Sequence, residues 1–181
     1  FSMERHLLLS AYHACSARAA DFTGNGFLDL ILGGHEPSRD GPHDSYVYIY
    51  WNGPDGLRED HKTLLPANAV NSMAVADFNN DGVRDLFVPC YRSVIERDID
   101  SYLYWNRPGR GFSNKDRMRI RPHSAAACFA ADFDEDGYVD LAVANHKIFN
   151  DHIGDSFIFQ NGPACLEENR YTRLPTSGVH G

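Results

Sequence analysis

An acidic nine-residue loop recurs three times in register, and no other feature limits the possible folds as tightly. The copies run Asp21-Phe-Thr-Gly-Asn-Gly-Phe-Leu-Asp29, Asp77-Phe-Asn-Asn-Asp-Gly-Val-Arg-Asp85 and Asp132-Phe-Asp-Glu-Asp-Gly-Tyr-Val-Asp140. Each follows an alanine, with glycine at its sixth position and aspartate at its ninth, and successive copies start 56 and 55 residues apart. An even step of that size marks a repeat array, in which each unit buries its apolar surface against the next.

The likeness extends past the loops. After each comes an apolar run, then a polar stretch ending in Asp-Ser (Asp44-Ser45, Asp100-Ser101, Asp155-Ser156), then an aromatic strand ending at an Asn-x-Pro turn (Asn52, Asn106, Asn161). A further short strand and a run of small residues lead to the next Ala-Asp-Phe. Each unit therefore reads as four short strands separated by Gly, Pro and Asn turns. No segment of helical length keeps a 3.6-residue period, so an all-β protein is expected. Four-stranded repeats of this length predict β-propeller blades of four antiparallel strands. The boundaries are 13–67, 68–122 and 123–176, with 1–12 as the outer strand of a preceding blade and 177–181 as the start of a next one. Propellers close with four to eight blades, so the expectation is a segment of a larger propeller or a protomer that closes its ring by self-association.

Alternating oxygen-bearing residues in a short acidic loop suit calcium, a hard cation taking six to eight oxygen ligands. The expected set is Asp132, Asp134, Asp136, the Tyr138 carbonyl and Asp140 in loop three. In loop two it is Asp77, Asn79, Asp81, the Val83 carbonyl and Asp85; in loop one, Asp21, Thr23, Asn25, the Phe27 carbonyl and Asp29. An EF-hand would place glutamate at position 12, where this chain has Leu32, Val88 and Val143. Loop three offers four carboxylates, loop two three and loop one only two, so affinity should fall in that order. Three bound divalent cations would bring the formal charge from −8 to −2. An alternative for any single copy is a turn capped by its own side chains.

With these residues in view, the chain resembles the FG-GAP/VCBS repeats of integrin α-type β-propellers. The resemblance rests on Ala-Asp-Phe, the Asp-x-Asp-x-Asp-Gly-x-x-Asp-Leu loop and the repeat step. It implies calcium between the first two strands of a blade, fully for Asp132 to Asp140, nearly so for Asp77 to Asp85 and weakly for Asp21 to Asp29. It further implies adhesion, carbohydrate binding or an accessory role in polysaccharide-degrading enzymes.

The variable segments 33–44, 89–100 and 145–155 fall at the opposite end of each blade from the acidic loops. Binding residues concentrate on loops held by a rigid scaffold, so His35, His43, Tyr91, Arg92, Arg97, His146, Lys147 and His152 are the candidate ligand contacts. Asp44, Asp100 and Asp155 are expected to brace these loops. The repeated strand aromatics are expected in the core. A net charge of −8 argues against a nucleic-acid partner, and no apolar run approaches a membrane span. Four scattered cysteines give no zinc spacing. No HExxH, GxSxG or P-loop occurs, and no catalytic set is assigned. The expected role is a calcium-binding module that binds glycan or protein outside the cell (secreted, cell-surface or periplasmic). The alternatives are a polysaccharide-degrading enzyme with a rim active site and a structural spacer.

Overall fold

A computed structural model describes residues 6–35, 44–93, 96–146 and 154–177. Twelve strands and no helix are found among them. The strands are β1 (Ala14–Ala20), β2 (Asp29–Gly34), β3 (Asp44–Tyr50), β4 (Lys62–Asn68), β5 (Ala74–Ala76) and β6 (Asp85–Val88). They continue with β7 (Ser101–Tyr104), β8 (Arg117–Ile120), β9 (Ala125–Ala131), β10 (Asp140–Asn145), β11 (Ser156–Phe159) and β12 (Tyr171–Leu174). They form three four-stranded sheets, β1–β4, β5–β8 and β9–β12, each a meander of antiparallel neighbours in chain order. This is the expected blade plan. The acidic loops join the first and second strands of each sheet, and the ends of β2, β6 and β10 carry the chain to the opposite edge.

Strand alternation sets the packing. In the first blade Ile31, Ile49, Val47 and Leu65 share one face, because Ile31 pairs with Ile49 and Val47 with Leu65. That face meets Leu86, Val88 and Tyr104 of the second blade in one buried cluster. The second blade's other face, Phe87 and Leu103, packs against Leu141, Val143, Phe157 and Phe159 of the third. Every residue of β6 is buried, since this strand lies between two sheets. Burial on both faces explains why it reads as an unbroken apolar run rather than an alternation. Of the strand aromatics, Tyr48, Tyr50, Tyr104, Phe157 and Phe159 are buried, Trp51, Tyr102 and Trp105 half-buried, and Tyr46 is 44% exposed.

The outward faces of the end blades differ. On the first, Tyr46 and Leu64 remain exposed. On the third, Phe129 is 66% exposed, and Phe133 and Leu174 are exposed as well. Residues 6–12, expected as an outer strand of a preceding blade, join none of the three sheets. A strand needs a ladder partner, and no third strand of a preceding blade is present among the described residues. This segment is instead tied to the first blade by side chains. The Tyr50 hydroxyl donates to the Ser10 carbonyl, and the Ser10 N–H donates to Glu59 Oε2 at 2.8 Å. The four cysteines are free thiols.

Candidate metal centre and loop surface

Backbone geometry in the acidic loops follows from their sequence positions. Position 6 is left-handed in all three (Gly26, Gly82 and Gly137, φ 86°, 89° and 90°), a region that glycine alone enters at little cost. Position 4 is left-handed too, through Gly24, Asn80 and Glu135. This winding turns successive N–H groups inward onto the first aspartate. Asp132 Oδ1 accepts from Asp136 N at 3.1 Å and Oδ2 from Gly137 N at 2.9 Å, and Asp77 accepts from Asp81 N and Gly82 N in the same way.

The loops then diverge. In loop three, carboxylate oxygens of Asp132, Asp134 and Asp136 lie within 4.8 Å of one another, and all three residues are exposed. Three hard anionic oxygens converging in a tight loop suit a hard divalent cation. In loop two the third position is Asn79, whose amide donates to Asp81 Oδ2 at 3.1 Å. In loop one Asp21 accepts backbone N–H groups from Thr23, Gly24, Asn25 and Gly26. The Gly26 N–H leads in holding its carboxyl below the usual aspartate range, with Gly24, Asn25 and Thr23 adding to it. That copy is a turn capped by its own backbone, with Thr23 and Asn25 in place of carboxylates.

The ninth-position aspartates occupy different ground. Asp29, Asp85 and Asp140 are fully buried. Each accepts on one oxygen the N–H of the loop's own phenylalanine (Phe22, Phe78, Phe133) and on the other the N–H of the Asn-x-Pro asparagine (Asn52, Asn106, Asn161), at 2.7–3.1 Å. They clamp the acidic loop to the turn between the third and fourth strands. Burial pushes the Asp85 carboxyl up to about 7, against the pull of the Asn106 and Phe78 N–H groups.

The asparagines complete the clamp, a role that sequence reading reduced to a turn signal. Asn106 Nδ2 donates to the Phe22 carbonyl, and Asn161 Nδ2 to the Phe78 carbonyl, both at 2.8 Å. In both cases the acceptor belongs to the preceding blade's acidic loop. Repetition of Asn at a fixed offset from the ninth-position Asp was the available signal.

At the opposite rim, His35, Tyr91 and His146 fall at one repeat position, His35 and His146 directly after β2 and β10 and Tyr91 three residues after β6. Their rings form a row across the three blades, with centroids 6.5 Å (His35–Tyr91) and 5.6 Å (Tyr91–His146) apart. The Arg97 guanidinium lies 4.8 Å from the Tyr91 ring centroid, and its buried Nη1 has no hydrogen-bond partner among the described residues. His146 itself is buried, while His35, Tyr91 and Arg92 are half-buried. His43, Lys147 and His152 lie outside the described residues. Bracing of this rim falls to the serines of Asp-Ser. Ser45, Ser101 and Ser156 accept the N–H groups of Ala69, Cys90 and Asn145. Asp100 instead pairs with Arg121 at 3.0 Å, and Asp155 faces Arg173 at 3.9 Å.

Comparison with known proteins agrees with this geometry over part of the chain. Residues 21–88, from loop one through β6, match the family model of an FG-GAP-like repeat. That span covers one full repeat period and the second acidic loop. No curated protein sequence matches the chain. The chain is a β-rich array carrying an FG-GAP-like repeat, with an acidic cluster able to hold a metal in its third loop.

Proposed function

We propose that the protein is a calcium-braced propeller module that presents a ligand-binding rim outside the cell. The observation carrying this reading is the convergence of Asp132, Asp134 and Asp136 within 4.8 Å in the loop with the most carboxylates. These three and the Tyr138 carbonyl would hold the cation; Asp77, Asn79, Asp81 and the Val83 carbonyl would hold a weaker one. The cation supplies no reaction: it neutralises crowded carboxylates and fixes the loop against the clamp formed by Asp140 and Asn161. Single short loops of this kind suit the weaker affinities that work where calcium is plentiful, which favours a secreted, cell-surface or periplasmic setting. The rim row of His35, Tyr91, Arg97 and His146 supports contact with a glycan or protein, since aromatic and arginine side chains dominate binding surfaces.

The test is calcium titration by calorimetry on the wild-type chain and on Asp134→Ala and Asp81→Ala. The stronger site should vanish in Asp134→Ala and the weaker in Asp81→Ala. Absence of any heat in the wild type at millimolar calcium would sink the proposal.

A further inference from the structure

A cavity of about 540 Å³ opens between the first two blades, on the acidic-loop side and away from the rim row. Its volume falls within the range of small-molecule sites. Half-buried Trp51 faces it, and the buried Phe112 ring stacks on Trp51 at 21° with centroids 6.2 Å apart. Trp51 is held by its Nε1–H, which donates to Thr63 Oγ1 at 2.9 Å.

The charge of this cavity runs against that of the molecule. The protein carries a formal charge of −8, yet no aspartate or glutamate lines the cavity, whereas His61, Arg107 and Arg110 do. Arg107 is fixed by a two-point pair with Asp116 at 2.6 and 2.9 Å. Arg110 is exposed and makes no ion pair or side-chain hydrogen bond with a described residue, although after Arg107 it too helps hold the Asp116 carboxyl low.

Two departures from the repeat pattern create this arrangement. Loop one has Thr23 and Asn25 where loop three has Asp134 and Asp136, and both line the cavity. The turn between β7 and β8 is one residue longer than its counterparts, reaching Phe112 six residues after Asn106. Leu57 and Leu166 follow their asparagines by five. That longer turn carries both arginines. Loss of carboxylates in loop one, which weakens it as a cation site, also keeps carboxylates off this wall of the cavity.

We propose that this cavity binds an acidic sugar residue, one bearing a carboxylate or a sulfate. The flat apolar side of a sugar ring matches the accessible part of the Trp51 ring, which Phe112 backs. The Arg110 guanidinium, which donates to no described side chain, matches one negative charge, and the Thr23 hydroxyl and His61 imidazole suit ring hydroxyls. A polyphosphate would bring more charge than one free cation balances. Cation binding in loop three is not required.

Calorimetric titration with trigalacturonate, a sulfated galactose trisaccharide and neutral galactotriose tests this on the wild type, Arg110→Gln and Asp134→Ala. Arg110 is exposed, so its replacement leaves the fold intact. The wild type should bind at least one acidic sugar about tenfold more tightly than the neutral one, and Arg110→Gln should lose about that factor. Which acidic sugar binds identifies the anionic group. Asp134→Ala should keep the affinity, because the site does not depend on loop three. The double variant Thr23→Asp/Asn25→Asp should abolish binding by placing carboxylates on the cavity wall. Equal affinity for the neutral sugar, an unaffected Arg110→Gln, loss in Asp134→Ala, or no binding of either acidic sugar would each overturn the proposal.

Discussion

Replacing Asn161 by alanine should weaken the attachment of the third blade to the second. The side chain is fully buried. Its Nδ2 donates to the Phe78 carbonyl at 2.8 Å and the Val139 carbonyl at 3.0 Å, and its Oδ1 accepts from Gly162 N at 2.9 Å. Truncation removes three hydrogen bonds and strands three backbone groups. At about 1 kcal/mol each the cost is about 3 kcal/mol, more where water cannot reach the Phe78 carbonyl. The repeat supplies its own control. Among the described residues the Asn52 side chain bonds only within its own blade, to the Leu28 carbonyl and Gly53 N, and it is partly exposed. Water can replace those partners, so Asn52→Ala should cost about 1 kcal/mol. Urea denaturation followed by far-ultraviolet circular dichroism measures both. A gap of about 2 kcal/mol at unchanged m is expected; a gap below about 0.5 kcal/mol would refute the cross-blade role. Amide exchange should also show faster opening of β9–β12 in Asn161→Ala than in Asn52→Ala.

Other outcomes follow from the same geometry. Calcium at 100 times its dissociation constant should stabilise the fold by about 2.7 kcal/mol. Differential scanning calorimetry should show this gain lost in Asp134→Ala, and an unchanged melting temperature in wild type would contradict it. Gly137→Ala should cost about 1–2 kcal/mol through backbone conformation alone, since φ is +90° and an added Cβ meets nothing within 4 Å. Denaturant midpoints would check this. Glu59 is held down at about 2 by the Lys62 ammonium first and then by the Ser10 N–H. Its folded value lies below the unfolded one. The contacts it supports are therefore complete above about pH 4.5 and are lost as pH falls towards 2. Protection of the Ser10 amide, taken relative to the intrinsic exchange rate at each pH, should fall across that window in wild type and be low at all pH values in Glu59→Gln.

The strand count and order were legible because the repeat presents the same pattern three times, and one blade's punctuation corrects the reading of another. The acidic cluster of Asp132, Asp134 and Asp136 was legible for the same reason. What escaped has a common cause. Asn106 meets a carbonyl 84 residues away, and Asn161 one 83 residues away. Local spacing says nothing about a partner on another sheet. Ser45, Ser101 and Ser156 were overshadowed by the charged aspartates beside them, although a buried N–H needs only a neutral acceptor. Asp29, Asp85 and Asp140 share a residue type with the exposed loop carboxylates, and only burial sets them apart as clamps. The N-terminal segment resembled an outer strand in composition, but strand structure depends on a neighbour as much as on residues.

The clasp between blades has a bearing on how such a chain can lengthen. Each unit brings both parts, an asparagine that hooks backward and a phenylalanine carbonyl that the following unit can hook. A duplicated unit would arrive already able to fasten on either side, with no compensating substitution in its neighbours. Selection could then act on loop one and on the β7–β8 turn separately, spending individual loops on new chemistry while the fastening stayed constant.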